Sequence, residues 1–440
     1  MMNKFSISSF SVAMLYNSRR FIFLFFFFIL LINNKFSFAQ EQFVKIDTLD
    51  FARFDTNTFY FSQDTSLLVN FYRKLDSVIQ FKQGNVNIIH IGGSHVQAGV
   101  MSHRIRQHLL TTYPESVASR GFIFPYSVAP KSNNPIDYRV IHQGSFGLVR
   151  NVYKELEKPL GVAGIGAYSR DTFAEIKIEI KNSYPLFVTD SIVLFGFADS
   201  GLVIPEIVLD TVSYMPMFID TILQRYIYKV PSFSDSFTIR WSVDSGNCFT
   251  LSGIWLGNND PGIIFHSIGV NGASVSSFLS CVNFERDLML LKPDMVIFGI
   301  GINDAASDKF DTLEFEKNYL LLIDKIKSVN SACAFVFITN NDSYKRIARG
   351  KYTVNTNGIA ARNVFYRLAA QTSGAVWDQF EIMGGLKSMY KWMQAGLAKK
   401  DRVHFTNAGY NLMGDLFFNA WLDAKRKVNL ENKDVLLINE

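Results

Sequence analysis

Three side chains that together can transfer an acyl group lie far apart in this 440-residue chain. Ser94 follows the apolar run "NVNIIHIGG" (residues 85–93), and Asp401 and His404 stand three apart in "KKDRVHFTNAGY". A serine hydroxyl becomes a useful nucleophile when a base takes its proton, and histidine titrates where that is possible near neutral pH. A carboxylate on the other ring nitrogen fixes the tautomer and stabilises the imidazolium. With Asp-x-x-His in one turn, a single backbone segment supplies both groups. Each piece also has a plainer reading. Gly-Gly-Ser is an ordinary turn, or a phosphate-cradling loop without its lysine, and Asp401 with His404 is also a surface aspartate beside a partly buried histidine.

Acyl transfer also needs donors for the tetrahedral oxyanion. Asn303, in "FGIGINDA", follows the apolar run "DMVIFGIG" and can aim a side-chain amide; it also suits a turn closed with Asp304. Gly272, in "SIGVNGAS", can offer an unobstructed backbone N–H.

These residues share a mouth only if the intervening chain builds one sheet. "VNIIHIG", "IIFHSIG", "DMVIFGIG", "CAFVFITN" and "AVWD" read as strands buried on both faces, separated by helical patterns. That alternation predicts a parallel sheet covered by helices on both sides, with ligands bound at the carboxyl ends of its strands. A helix after Ser94 adds backbone donors and a dipole favourable to negative charge. Thr406 or Asn407 is placed to cap the last helix. Residues 125–261 differ: "FAEIKIEIKNS", "QRYIYKV", "SFTIRWSVD" and "CFTLSGIWLGN" alternate apolar and polar residues with period two. This is the pattern of an antiparallel sandwich inserted into the α/β part.

The set resembles the SGNH hydrolases, the GDSL-like esterase family, whose signature serine, glycine, asparagine and histidine occur in that chain order. Here "GGSH" carries Ser94, "GVNGAS" Gly272, "GIND" Asn303 and "DRVH" Asp401 with His404. The resemblance implies a three-layer α/β/α fold over residues 66–124 and 262–424, with the β-sandwich at 125–261 outside it. It implies Ser94 as nucleophile, His404 as general base, Asp401 as its orienter, and Ser94, Gly272 and Asn303 as oxyanion hole. No cofactor or metal is implied. A sandwich between the serine and glycine blocks is similar in layout to peptidoglycan O-acetylesterases. One departure stands out, because Gly93 occupies the place of the family's usual aspartate. The expected activity is hydrolysis of O-acyl, in the first place O-acetyl, esters on a glycan. The alternatives are an O-acyltransferase using the same triad, or a glycan-binding protein on a hydrolase scaffold.

The remaining features bound this reading. Residues 1–39 carry four basic residues, the apolar run "FIFLFFFFILLI" and small residues at Ser37 and Ala39, the layout of a cleaved secretory signal. Without them, 40 Lys and Arg face 39 Asp and Glu, a formal net charge of +1. That balance gives no electrostatic case for nucleic acid or an anionic membrane. A secreted, periplasmic or cell-surface protein is expected, with no stable membrane insertion and a polar tail over 425–440. Cys248, Cys281 and Cys333 show neither a disulfide framework nor zinc spacing. His90, His95, His103 and His108 lack the i, i+4 pairing of a helical zinc site. Tyr184, Tyr226, Tyr228, Trp241 and Trp255 offer a sugar-stacking platform or, more simply, sandwich core. Gln97 and Arg104 are candidate substrate contacts or solvent-facing residues.

Overall fold

Alternate residues of the apolar strands serve two different hydrophobic layers. The computed structural model describes residues 41–438 other than 117, 130–131 and 182–186, so the expected signal segment lies outside the described residues. All elements below belong to the unit Phe43–Glu440. Its main sheet contains β1 (Phe59–Phe61), β2 (Asn85–Gly92), β3 (Gly262–Gly269), β4 (Met295–Gly299), β5 (Ala334–Ile338) and β6 (Ala375–Trp377). The spatial order is β1-β6-β5-β4-β2-β3, parallel except for β1, which pairs antiparallel with β6.

Val86, Ile88, Ile297 and Val336 pack with α1 (Ser66–Phe81), α3 (Val100–Thr112) and α6 (Asn407–Ile438) through Phe71, Leu75, Ile105, Phe417 and Trp421. Ile89, Ile91, Phe298 and Phe337 serve the opposite face, with α4 (Thr312–Val329) and α5 (Asn357–Thr372) supplying Tyr319, Ile323, Val364 and Phe365. Each such buried side chain contributes about 1.5–3 kcal/mol, so both faces of the sheet are fixed by period-two burial. The result is the expected three-layer α/β/α arrangement. The short helix α2 (Ser94–Gln97) lies between β2 and α3.

The chain reverses direction across the sheet at β2. From β2 it moves outward to β3, then crosses back to β4 and proceeds to β5 and β6. A crevice at the carboxyl ends of β2, β3 and β4 is therefore the switch point where open α/β sheets bind ligands.

Between β2 and β3 the chain builds two antiparallel sheets. One has five strands centred on Phe173–Ile180 and Ser236–Ser242; the other has seven, centred on Thr189–Ala198 and Phe249–Gly257. Their inward residues, among them Ile176, Ile239, Trp241, Leu194 and Phe249, belong to the same hydrophobic cluster as one face of the main sheet. Tyr226, Tyr228 and Trp241 are core residues, and Trp255 packs partly buried against them, so they form no stacking platform; Tyr184 lies outside the described residues.

Three boundaries differ from those expected. The strand Gly121–Ile123, upstream of residue 125, pairs with Phe249–Gly257 in the antiparallel sheet. β1 joins the main sheet from upstream of residue 66. The backbone of α6 continues past residue 424 to Ile438. Among the described residues, no helix is long and apolar enough to cross a membrane.

A buried charge group secures the seam between the two parts. Arg106 of α3 donates to the Phe265 carbonyl of β3 and, at 3.2 Å, to Asp137; Arg120 donates to the same carboxylate oxygen at 2.5 Å. Burial alone would raise the Asp137 carboxyl, but the two guanidiniums hold it well below the usual carboxylate range.

Candidate active site

A row of three glycines lets α2 lie down across the end of the sheet. Parallel register places Gly269 of β3 and Gly299 of β4 on either side of Gly92. A Cβ on Gly92 would stand 2.5 Å from the Gly299 carbonyl, and one on Gly269 would stand 2.2 Å from the Gln97 nitrogen. Larger residues would lift α2 from the sheet and carry Ser94, its first residue, away. This row escaped sequence reasoning, which saw the glycines but not their common level.

Ser94 Oγ lies 2.8 Å from His404 Nε2. His404 Nδ1 lies 2.9 Å from Asp401 Oδ2, while Asp401 Oδ1 accepts the backbone N–H groups of Val403 at 2.9 Å and His404 at 3.0 Å. Burial raises the Asp401 carboxyl, yet the hydrogen bonds from His404 and Val403 outweigh it and hold it well below the usual range. The carboxylate is therefore charged at neutral pH and accepts from Nδ1–H, which leaves Nε2 to accept from the serine hydroxyl.

The Asp401–His404 loop is closed on itself by Lys399 N–H to the His404 carbonyl and Thr406 N–H to the Leu397 carbonyl. Asn341 donates to the Val403 carbonyl at 3.0 Å. Arg402 adopts φ +57°, and its guanidinium lies 5.2, 4.7 and 4.8 Å from the ring centres of Tyr344, Tyr352 and Tyr390. Cation–π attraction to three rings offsets the strain of a left-handed non-glycine residue. Arg402 gave no signal in the sequence, because two of the tyrosines sit on a hairpin (Tyr344–Ala348 with Lys351–Val354) not expected there. Thr406 accepts the Gly409 N–H and so opens the last helix.

Gly272 and Asn303 line the same cleft as Ser94 and His404, a space of about 420 Å³. Gly272 has φ +83°, which favours glycine. Asn303 sits in the short helix Ile302–Ala305 after β4, and its amide donates to the Ala273 carbonyl at 2.9 Å. An amide nitrogen carries two N–H groups, so this bond orients the other. Asp304 accepts the Val275 N–H at 3.2 Å, tying the Asn303 loop to the Gly272 loop; burial pushes its carboxyl up to about 6. At Gly93, a Cβ would stand 3.3 Å from Asn303 Nδ2, so the missing aspartate would have abutted this amide.

Gln97 is buried rather than solvent-facing. It donates to the Asn133 carbonyl at 3.1 Å and accepts from Asn271 N–H at 2.7 Å, beside Gly272. Arg104 is paired with Asp415 at 2.5 Å, which also takes His108. His103 lies 3.9 Å from Asp137, His90 meets Ser102 at 2.9 Å, and the His95 ring lies beside His404. The four histidines thus go to separate tasks.

Residues 235–412 match the GDSL-like lipase/acylhydrolase family. The match includes Gly272, Asn303, Asp401 and His404 and excludes Ser94, which the fold returns to them across the sandwich. No curated protein sequence matches the chain. In solved structures, the chain is similar to a peptidoglycan O-acetylesterase, with 19% identity, a TM-score of 0.67, and coverage of 86% of this chain and 99% of that one. It is also similar to the acetyl xylan esterase AlAXEase, at 19% identity and TM-score 0.29 over 36% of this chain and 81% of that one. A lipase/acylhydrolase from Enterococcus faecalis has 22% identity and TM-score 0.29 over 38% of this chain and 77% of that one. Over residues 235–412 the chain is thus similar to the GDSL-like lipase/acylhydrolases, and the four loops gather a serine, a histidine and an aspartate in the arrangement that an ester hydrolase uses.

Proposed function

We propose that the protein is a secreted, periplasmic or surface esterase that removes O-acyl groups, first of all O-acetyl groups, from a glycan. The observation that carries this is the unbroken chain from Ser94 through His404 to Asp401, opening into a cleft lined by Gln97, Asn133, Asn271, Asn303 and Lys399. Amide-rich walls suit a hydroxyl-rich sugar better than a long acyl tail. The O-acetylesterase to which the chain is similar in fold makes peptidoglycan the first glycan to assay.

In this reading His404 Nε2 takes the Ser94 proton as Oγ attacks the ester carbonyl. The resulting oxyanion meets the N–H groups of Ser94 and Gly272 and the Asn303 amide. His404 then returns the proton to the leaving sugar oxygen. Water, activated by the same imidazole, releases the acid from Ser94. The cycle needs no cofactor.

The test is acetate release from a small acetyl ester and from acetylated glycans, comparing the intact protein with Ser94→Ala. Equal rates in the two proteins would overturn the proposal. Product analysis with and without an acceptor glycan distinguishes hydrolysis from transfer.

A further inference from the structure

Behind the nucleophile lies a second, separate space of about 40 Å³, bordered by His90, His95, Gly299, Asn340, Gln379 and Tyr410. Three polar atoms on its lining residues, His90 Nε2, His95 Nε2 and Asn340 Nδ2, are buried without a protein partner. His90 and Asn340 are 2% and 7% exposed, so bulk solvent does not satisfy them. A water needs roughly 10–15 Å³ of such space and two to four polar partners, and this chamber supplies both.

His95 connects the chamber to the catalytic base. Its ring lies 5.1 Å from that of His404, inclined by 33°, and 6.1 and 5.7 Å from those of Phe405 and Tyr410. His95 Nδ1 is 2.8 Å from the Tyr410 hydroxyl. That bond anchors Nδ1 on the side of the ring away from bulk water. Nε2, the other ring nitrogen, is buried without a protein partner. Burial, followed by the neighbouring His404, pushes His95 down to about 3, so it presents a neutral ring to the imidazolium formed during turnover.

We infer that His95 is a positioning residue: anchored at Nδ1 by Tyr410 and at its buried Nε2 by ordered water in the chamber, it backs the His404 ring and keeps the His404 Nε2 aimed at Ser94 Oγ. The inference rests on the proposed esterase reading for its kinetic test, though not for its spectroscopic one. His404 hangs on a surface loop and is itself partly exposed, so its ring orientation needs a fixed wall. The Asp401 bond restrains one ring nitrogen, and the His95 ring restrains the plane.

The kinetic test compares the full chain with His95→Phe and Tyr410→Phe on a small acetyl ester. Misplacing a catalytic group by about 1 Å costs up to ~10²-fold, so kcat should fall roughly 10- to 100-fold in His95→Phe with KM unchanged. Tyr410→Phe should show a smaller fall of the same kind. It removes only the hydroxyl and keeps the ring against Phe405, so it decides the matter where His95→Phe fails to fold. Wild-type kcat in the folded variants would overturn the inference. Long-range proton–nitrogen NMR of the resting wild type should show His95 as a neutral ring at neutral pH, and an imidazolium there would overturn it too. If the wild type releases no acetate from any ester, the esterase reading fails, and the NMR measurement alone decides the placement of His95.

Discussion

Replacing Asp401 by asparagine changes no heavy-atom positions and should nevertheless silence the site. Asp401 Oδ1 accepts two backbone N–H groups, from Val403 and His404, while Oδ2 accepts from the His404 ring. An asparagine has one acceptor oxygen, and the two backbone donors claim it. Its NH₂ must then face His404 Nδ1, which becomes an acceptor and moves the ring proton to Nε2, against Ser94 Oγ. The base is lost through the wrong tautomer. Rotating the amide to restore the productive tautomer sacrifices two backbone hydrogen bonds at about 1 kcal/mol each and leaves those donors unpaired, for a total near 2–4 kcal/mol. That alone lowers the productive population by roughly 30- to 1000-fold. Loss of the negative charge beside the imidazolium brings the expected fall in kcat toward ~10⁴-fold. Alanine at 401 removes the carboxylate but imposes no tautomer, so Asp401→Asn should be at least as inactive as Asp401→Ala. The assay is steady-state hydrolysis of a chromogenic acetyl ester, with circular dichroism to verify folding. Activity of Asp401→Asn within tenfold of wild type, or well above that of Asp401→Ala, would refute this account.

Three further outcomes follow from other contacts. Asn303→Ala should lower kcat by about 10²–10³-fold while leaving KM for a small ester little changed, as steady-state kinetics will show. Arg150, on the sandwich strand Gly147–Arg150, donates to the Asn271 carbonyl next to Gly272. Arg150→Ala should therefore reduce kcat by roughly tenfold, because a donor loop that shifts by a fraction of an ångström loses alignment; an unchanged kcat would mean that the sandwich does not support the site. Asp137→Ala leaves two buried guanidiniums unpaired and should cost about 3–5 kcal/mol in urea denaturation. Because the folded-state Asp137 carboxyl is depressed below its unfolded value near ~3.9, its contribution is complete above about pH 4 and is lost as the pH falls toward the folded value. Acid should accordingly narrow the stability gap between wild type and Asp137→Ala.

What the sequence disclosed depended on how local each signal was. Strands such as Ile88–Ile91 and Val296–Phe298 were legible because burial on both faces leaves a continuous apolar run, and the loops after them could be located by counting. The order of Ser94, Gly272, Asn303, Asp401 and His404 was legible for the same reason. Register was not. That Gly92, Gly269 and Gly299 share one level depends on pairing between segments up to two hundred residues apart, and no local pattern encodes it. Gln97 stayed open between a substrate contact and a solvent-facing residue because its partners, Asn133 and Asn271, come from other loops. His95 looked like one of four clustered histidines, since nothing nearby announces Tyr410 or His404. Helix α6 continued past residue 424 because the polar sequence there retains helical spacing, which composition alone reads as a tail.

The position of the sandwich explains why the family match reaches four of the five candidate site residues and omits Ser94. β2 and β3 are neighbours, so the crossover between them is the only connection separating Ser94 from Gly272 in the fold. An insertion there lengthens the sequence gap without moving either residue, provided that its two ends return together. They do: Gly121–Ile123 at its start is hydrogen-bonded to Phe249–Gly257 at its end, and β3 begins at Gly262. The insert is also more than a tolerated loop. Its hydrophobic core is continuous with one face of the main sheet, Asp137 holds Arg106 of α3, and Arg150 holds the backbone beside Gly272. Displacing the sandwich would therefore disturb the glycine-bearing donor loop before it disturbed Ser94 or His404, which are anchored from β2 and from the loop before α6. The division of labour is physical: the sheet and the last loop set Ser94 and His404, while the sandwich braces the Gly272 loop.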